Sequence, residues 1–185
     1  MKYVFVTLIV IFLASCTGLP ENIEPVEDFN AQKYVGNWYE IARLDHSFER
    51  GLSDVSANYT PRKDGGITVV NKGFSNKNNA WKQAEGKAYF VGNETIGHLK
   101  VSFFGPFYGS YVIFKLDKKD YQYSYVTSYD KGFLWLLSRT PSVSDAVKKD
   151  FLETAKNYGF NVKNIIFVSH VQSSKAIKNN ALKQS

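Results

Sequence analysis

Apolar residues keep two different rhythms along this chain. Between Asn37 and Arg139 they alternate with polar residues in short runs, the pattern of strands with one buried face. The runs fall at 37–46, 54–62, 67–74, 82–91, 98–104, 110–117, 121–129 and 133–139. Asp64-Gly65-Gly66, Gly92-Asn93-Glu94, Gly105-Pro106 and Asp130-Lys131-Gly132 separate several of them and supply turn chemistry. Eight short strands with short connections predict an all-β fold, an antiparallel up-and-down β-barrel whose closure removes both exposed sheet edges. In SVSDAVKKDFLETAKNYG (142–159) the rhythm changes to a helical one, carried by Val147, Phe151, Ala155 and Tyr158. Ser142 or Ser144 can cap that helix and Gly159 can stop it. A single apolar stripe predicts one C-terminal α-helix packed outside the barrel, and 164–168 reads as a last short strand beside the first.

Strand parity sorts the inner wall from the outer. With Glu85, Lys87, Lys100 and Lys115 outside, the inner set contains Ala84, Gly86, Ala88 and Phe90, then Leu99, Val101 and Phe103, then Val112, Phe114 and Leu116. Val55, Ala57, Tyr59, Val69, Asn71, Gly73, Ser124, Val126, Trp135 and Leu137 complete it. Ala57, Gly73, Gly86, Ala88 and Ser124 bring little volume, which predicts a carbon-lined cavity with a few polar groups. The alternative is a solid barrel in which large residues opposite the small ones fill the space. The candidate ligand-binding residues are Tyr59, Asn71, Ala88, Phe90, Val101, Phe103, Val112, Phe114, Val126, Trp135 and Leu137. Along GNWYEIAR the same alternation puts Trp38 and Glu40 inside, and Tyr39, Ile41 and Arg43 outside.

The N-terminus follows another logic. Lys2 precedes an apolar run from Tyr3 to Ala14 that is too short to span a bilayer and fits a secretory signal. It ends in Leu13-Ala14-Ser15-Cys16, which resembles the bacterial lipoprotein box, so Cys16 is the candidate lipidation site. Residues 1–15 are then a signal peptide, 16–27 a tether containing Pro20 and Pro25, 28–170 the folded domain, and 171–185 a polar, disordered tail. Cys16 is the single cysteine, which excludes an intramolecular disulfide. Thr17 in place of an aspartate after the lipidated cysteine resembles outer-membrane sorting in a Gram-negative cell. The net charge of +6 suits anionic head groups, and an exported protein meets little nucleic acid.

Catalytic signatures are sparse. His46, His98 and His170 lack metal-ligand spacing, so no metal site and no cofactor are expected. Glu40 is the remaining candidate base, weighed against a structural, hydrogen-bonded carboxyl.

Gly36-Asn37-Trp38 resembles the G-x-W signature of the lipocalins, and Arg139 in FLWLLSRTP resembles the arginine of their third motif. The second motif is matched loosely by Leu116-Asp117 with Tyr121 or Tyr123. FNAQKYVGNWYEIARLDHSFERGL, NKGF, EGKAYF and KVSFFGPFYG resemble the bacterial outer-membrane branch, with apolipoprotein D more distant. The resemblance implies that Gly36, Trp38 and Arg139 form the closed base, a structural role. It also implies a non-enzymatic carrier of fatty acids or lysophospholipids that serves membrane maintenance. A lipid-modifying enzyme and a non-binding envelope module are the other readings. The opposite end, built from 45–54, 76–79, 105–109 and 130–132, is the mouth. Its aromatic loop with Phe104, Phe107 and Tyr108 would admit an acyl chain, touch the membrane or form a homodimer, or else pack on itself.

Overall fold

The computed structural model describes residues 17–171. The predicted lipidation site Cys16, the signal segment and the tail from 172 lie outside the described residues. Eight antiparallel strands form a meander: β1 (Gly36–Leu44), β2 (Leu52–Pro61), β3 (Ile67–Ser75), β4 (Ala80–Phe90), β5 (His98–Ser102), β6 (Gly109–Leu116), β7 (Tyr123–Thr127) and β8 (Leu134–Ser138). β1 pairs with β2 through Gly36–Tyr39 and with β8 through Tyr39–Arg43, which closes the barrel. β9 (Ile165–Phe167) then adds to the upper half of β1, where β2 has turned away. The fold class is thus the one the alternation predicts, with the ninth strand where it was expected.

The short helix α1 (Ala31–Tyr34), which the alternation does not announce, precedes β1 and is capped by Asn30. The long helix α2 (Asp145–Asn157) starts at Ser144, whose Oγ accepts from the Val147 N–H, and Gly159 ends the segment at φ +78°. Its stripe packs on the outside of the barrel. Phe151 and Ala155 are fully buried against Ile41, Ala42, Leu44, Val112, Phe114, Tyr125, Leu134 and Leu136. A second apolar cluster fills the lower barrel, with Phe29, Tyr34, Trp38, Tyr59, Ile67, Val69, Leu99, Ile113 and Val126.

Register shifts interrupt β1, β2 and β6 among the described residues, and those on β6 and β1 overturn parity assignments. On β6 the register slips between Ile113 and Lys115. Lys115 points outward to Asp150 on α2 at 2.7 Å, yet Val112 and Phe114 also lie outside, under the helix. Tyr111 and Ile113 are the inward residues there. Val112 and Phe114 therefore do not line the interior. On β1 the register slips between Glu40 and Ala42. Ile41 and Ala42 both face the helix, and Arg43, expected outside, turns inward and is 2% exposed.

Within and just after the segment expected to be a tether, residues 23–29 pack on the barrel. Ile23 is 1% exposed in the helix-facing cluster, Val26 exchanges backbone hydrogen bonds with Ile113 and Gly97, and Phe29 N–H donates to Thr95 O. Their apolar side chains find a groove along β5 and β6, and Gly97 has no Cβ to keep Val26 away.

Candidate ligand site

The closed end is built around an indole. Trp38 is fully buried and donates from Nε1 to Tyr34 O at 2.7 Å. The Arg139 guanidinium lies over its ring, 3.9 Å from the centroid. Arg139 also donates to the carbonyls of Asn37, Lys33, Tyr34 and Tyr121, joining α1, β1 and the β6–β7 turn. Gly36 adopts φ +97°, a conformation that favours glycine, and this turn brings the chain from α1 into β1 beneath the arginine.

Above that base runs a layer of hydroxyls. Tyr34 reaches up from α1 so that its hydroxyl lies 2.8 Å from Tyr111 and 3.3 Å from Ser124. Tyr59 meets Tyr111 at 2.9 Å. Burial pushes the Tyr34 phenol up to about 12 and raises those of Tyr59 and Tyr111 as well, so all three remain neutral donor–acceptors at physiological pH. They form the floor of the upper interior.

Higher up stands a buried ionic cluster. Arg43 Nη1 donates to Glu40 Oε1 at 2.6 Å, and its Nη2 donates to the Glu49 carbonyl at 2.8 Å. His46 Nε2 lies 2.8 Å from Glu49 Oε2, which also accepts from Trp135 Nε1 at 3.1 Å. Burial and the charge of Glu49 push the Glu40 carboxyl well above the usual range, against the opposing pull of Arg43. Burial also acts upward on Glu49, but hydrogen bonds from His46 and Trp135 and the nearby cations bring it below the usual range. The two carboxyls are therefore shifted in opposite directions, Glu40 keeping its proton to higher pH than an ordinary carboxyl and Glu49 losing its own at lower pH. Arg43 Nε and His46 Nδ1 are buried without a hydrogen-bond partner among the described residues. Aromatic rings surround the imidazole: Phe48 stacks on it at 3.9 Å, with Trp135 at 5.3 Å and Phe133 at 5.8 Å.

Between floor and rim the inner wall is not sealed. Ala57, Asn71, Val101, Phe103 and Trp135 face inward and are only half-buried, and Ala84, paired with Asn71, is exposed. Of the other expected wall residues, Tyr59, Ala88, Val126 and Leu137 are buried in the packed lower half, and Phe90 packs on Phe29 at the base. The small residues are partly answered by large ones. A Cβ on Gly86 would lie 2.7 Å from Ser102 O and 2.8 Å from the Phe103 ring, so that aromatic fills the space the glycine leaves. The interior is thus filled below and open above.

Sequence reasoning missed Arg43, His46, Glu49, Tyr34 and Tyr111. Only the bulge makes Arg43 and Glu40 neighbours, and His46 and Glu49 belong to a loop whose inward fold no alternation encodes. Among the described residues no group of histidine, cysteine and carboxylate side chains could hold a metal ion. The chemistry on offer is burial of an apolar chain with polar groups at one end of the chamber.

Comparison with known proteins gives one consistent result. The model of the Lipocalin-like domain family matches residues 29–170. Outer membrane lipoprotein Blc of Vibrio cholerae is 53% identical over 168 residues, covering 91% of this chain and 98% of that protein. Outer membrane lipoprotein Blc of Escherichia coli is 50% identical over 149 residues, 80% of this chain and 84% of that one. Apolipoprotein D of Mus musculus is 33% identical over 122 residues, 62% and 63% of the two chains. Insecticyanin from the tobacco hornworm Manduca sexta superimposes with a TM-score of 0.66 over 84% of this chain and 88% of its own, at 19% identity, a likeness of fold alone.

Proposed function

The chain belongs to the lipocalin family, and from that premise we propose that it holds single-chain lipids, fatty acids or lysophospholipids, for storage or transport at the outer membrane of a Gram-negative cell. Relatives named outer membrane lipoprotein place the protein at that membrane. The observation that carries the ligand reading is the half-open inner wall formed by Ala57, Asn71, Val101, Phe103 and Trp135 above a sealed tyrosine floor. An acyl chain seated there gains about 0.8 kcal/mol per buried CH₂. The polar end of the lipid stays at the level of Arg43, His46 and Glu49. Acceptor oxygens of a carboxylate or phosphate suit the unpartnered Arg43 Nε–H.

The non-enzymatic reading rests on the use already made of the candidate base. Glu40 is held by Arg43 in a buried cluster, and its neighbours are structural partners. The test is a titration of delipidated protein with a fatty acid and with a lysophospholipid, followed by tryptophan emission. Saturable quenching that weakens in Trp135→Ala supports the carrier. Failure to bind either lipid removes it. Recovery of chemically altered lipid, abolished by Glu40→Gln, would make the protein an enzyme.

A further inference from the structure

The packed N-terminal segment fixes where an anchor at Cys16 leaves the barrel. The Thr17 backbone lies beside the His98 ring, which meets Ser110 Oγ at 2.9 Å on the outer face of β5, opposite Val112. The segment then turns through Pro20 into the groove occupied by Ile23 and Val26. One residue separates Thr17 from the lipids, so no long leash lets the barrel tumble above the surface. An acyl anchor on Cys16 would therefore hold the outer wall at His98 close to the bilayer.

What lies along that wall suits a lipid surface. From His98 to Ser102, β5 rises about 13 Å at roughly 3.3 Å per residue, toward the mouth. Lys100 is outward and sits over the Tyr108 ring at 5.3 Å, beside Tyr89 and Lys87 on β4. Past Ser102 comes the aromatic loop, where Phe104 is 81% and Phe107 66% exposed. Residues 95–116 contain no aspartate or glutamate. Anchor, lysines, interfacial tyrosines and bare phenylalanines therefore follow one another along one side of the barrel. Aromatic rings settle at the head-group level, and lysines near an anionic surface add about 1 kcal/mol each.

We infer that this strip, from Thr17 through Lys100 to Phe104 and Phe107, docks on the anionic lipid surface that holds the anchor and tilts the mouth of the barrel into it. The inference rests on the reading of Cys16 as the acylated residue and is independent of which lipid the barrel carries. It gives the mouth a route to lipid that avoids water, because the loop that enters the head groups also borders the half-open wall at Phe103.

The full, lipidated protein tests this in vesicles of phosphatidylethanolamine and phosphatidylglycerol. With Cys16 blocked by its thioether, Phe107→Cys provides the one free thiol for an environment-sensitive fluorophore. Lys63→Cys in the β2–β3 turn and Lys156→Cys on α2 serve as controls. The expected result is several-fold stronger quenching by shallow spin-labelled lipids at 107 than at 63 or 156. It should drop toward the control level when Lys87 and Lys100 become Glu, with flotation unchanged. Protein that floats with the vesicles while the 107 probe stays in water overturns the docking but leaves the anchor standing. Protein that fails to float removes the Cys16 reading and the docking with it. A 107 probe shielded from water-soluble quencher yet untouched by the spin-labelled lipids means that a second copy of the chain covers the loop, and overturns the proposal.

Discussion

Arg43 lies inside the barrel with Nη1 2.6 Å from Glu40 Oε1, although unbroken alternation along β1 would place the two on opposite faces. The bulge that brings them together makes the pair indispensable to itself: neither charge can reach water. Truncating Arg43 to Met leaves two buried carboxyls facing each other and is expected to cost about 3–5 kcal/mol in urea unfolding. The double variant Glu40→Leu, Arg43→Met should lose less than the single one, because no unpaired charge of that pair remains. Strict additivity of the two single losses would count against a coupled pair.

The upward shift of Glu40 predicts an unusual pH dependence. Glu40 binds its proton more tightly in the folded protein than in the unfolded chain. Between the ordinary carboxylate range and the pH at which Glu40 titrates in the fold, the native state therefore holds more protons, and stability falls as pH rises. Glu49, shifted the other way, adds stability above the ordinary range that is lost as pH falls. Denaturant midpoints measured upward from the ordinary carboxylate range should show the native protein losing stability relative to Glu40→Gln, while His98, lowered by burial, contributes the opposite slope equally to both. An unchanged slope in the variant would mean that another group carries it.

The base offers a cleaner separation of stability from binding. Arg139→Ala removes the cation over Trp38 together with donors to four carbonyls, and is expected to cost about 2–4 kcal/mol. Lysine should recover little of this, since it cannot form the planar fork that spans α1, β1 and the β6–β7 turn. Lipid affinity of the folded fraction should be unchanged in both, because the tyrosine layer separates the arginine from the chamber. A loss of affinity matching the loss of stability would place the ligand lower in the barrel.

Much of this architecture can be read in the alternation itself. Charged residues such as Lys87 and Lys100 mark the outer face where it meets water, and the helical spacing of Phe151 and Ala155 marks what covers the rest. The difficulty arises where α2 covers the sheet. Val112-Ile113-Phe114 is apolar at both parities because both faces are buried there, so the run carries no record of which residue points inward. The bulge then shifts the phase without leaving a glycine or a proline to signal it. The ionic cluster is hidden for a related reason: His46 and Glu49 come from a loop, and only tertiary packing folds that loop over Trp135.

The corrected parity of β6 leads to the sharpest test of where lipid sits. Phe114 and Val112 pack under α2, so Phe114→Ala should cost about 3–5 kcal/mol of stability yet leave affinity for a fatty acid within about twofold. On the inner wall the opposite holds. Ala57 is half-buried, packed on the lower cluster beside Trp38 with its remaining surface toward the open interior, so Ala57→Leu should extend into that space with modest loss of stability but take volume from an acyl chain. Asn71→Leu acts at the same level from β3, where it pairs with Ala57. Each of these two should weaken binding at least about tenfold, a loss of about 1.4 kcal/mol, and most for the longest chains. A chain-length series titrated against Ala57→Leu and Phe114→Ala distinguishes the two walls. If Phe114→Ala abolishes binding while Ala57→Leu spares it, the lipid lies in the seam beneath the helix and not in the barrel.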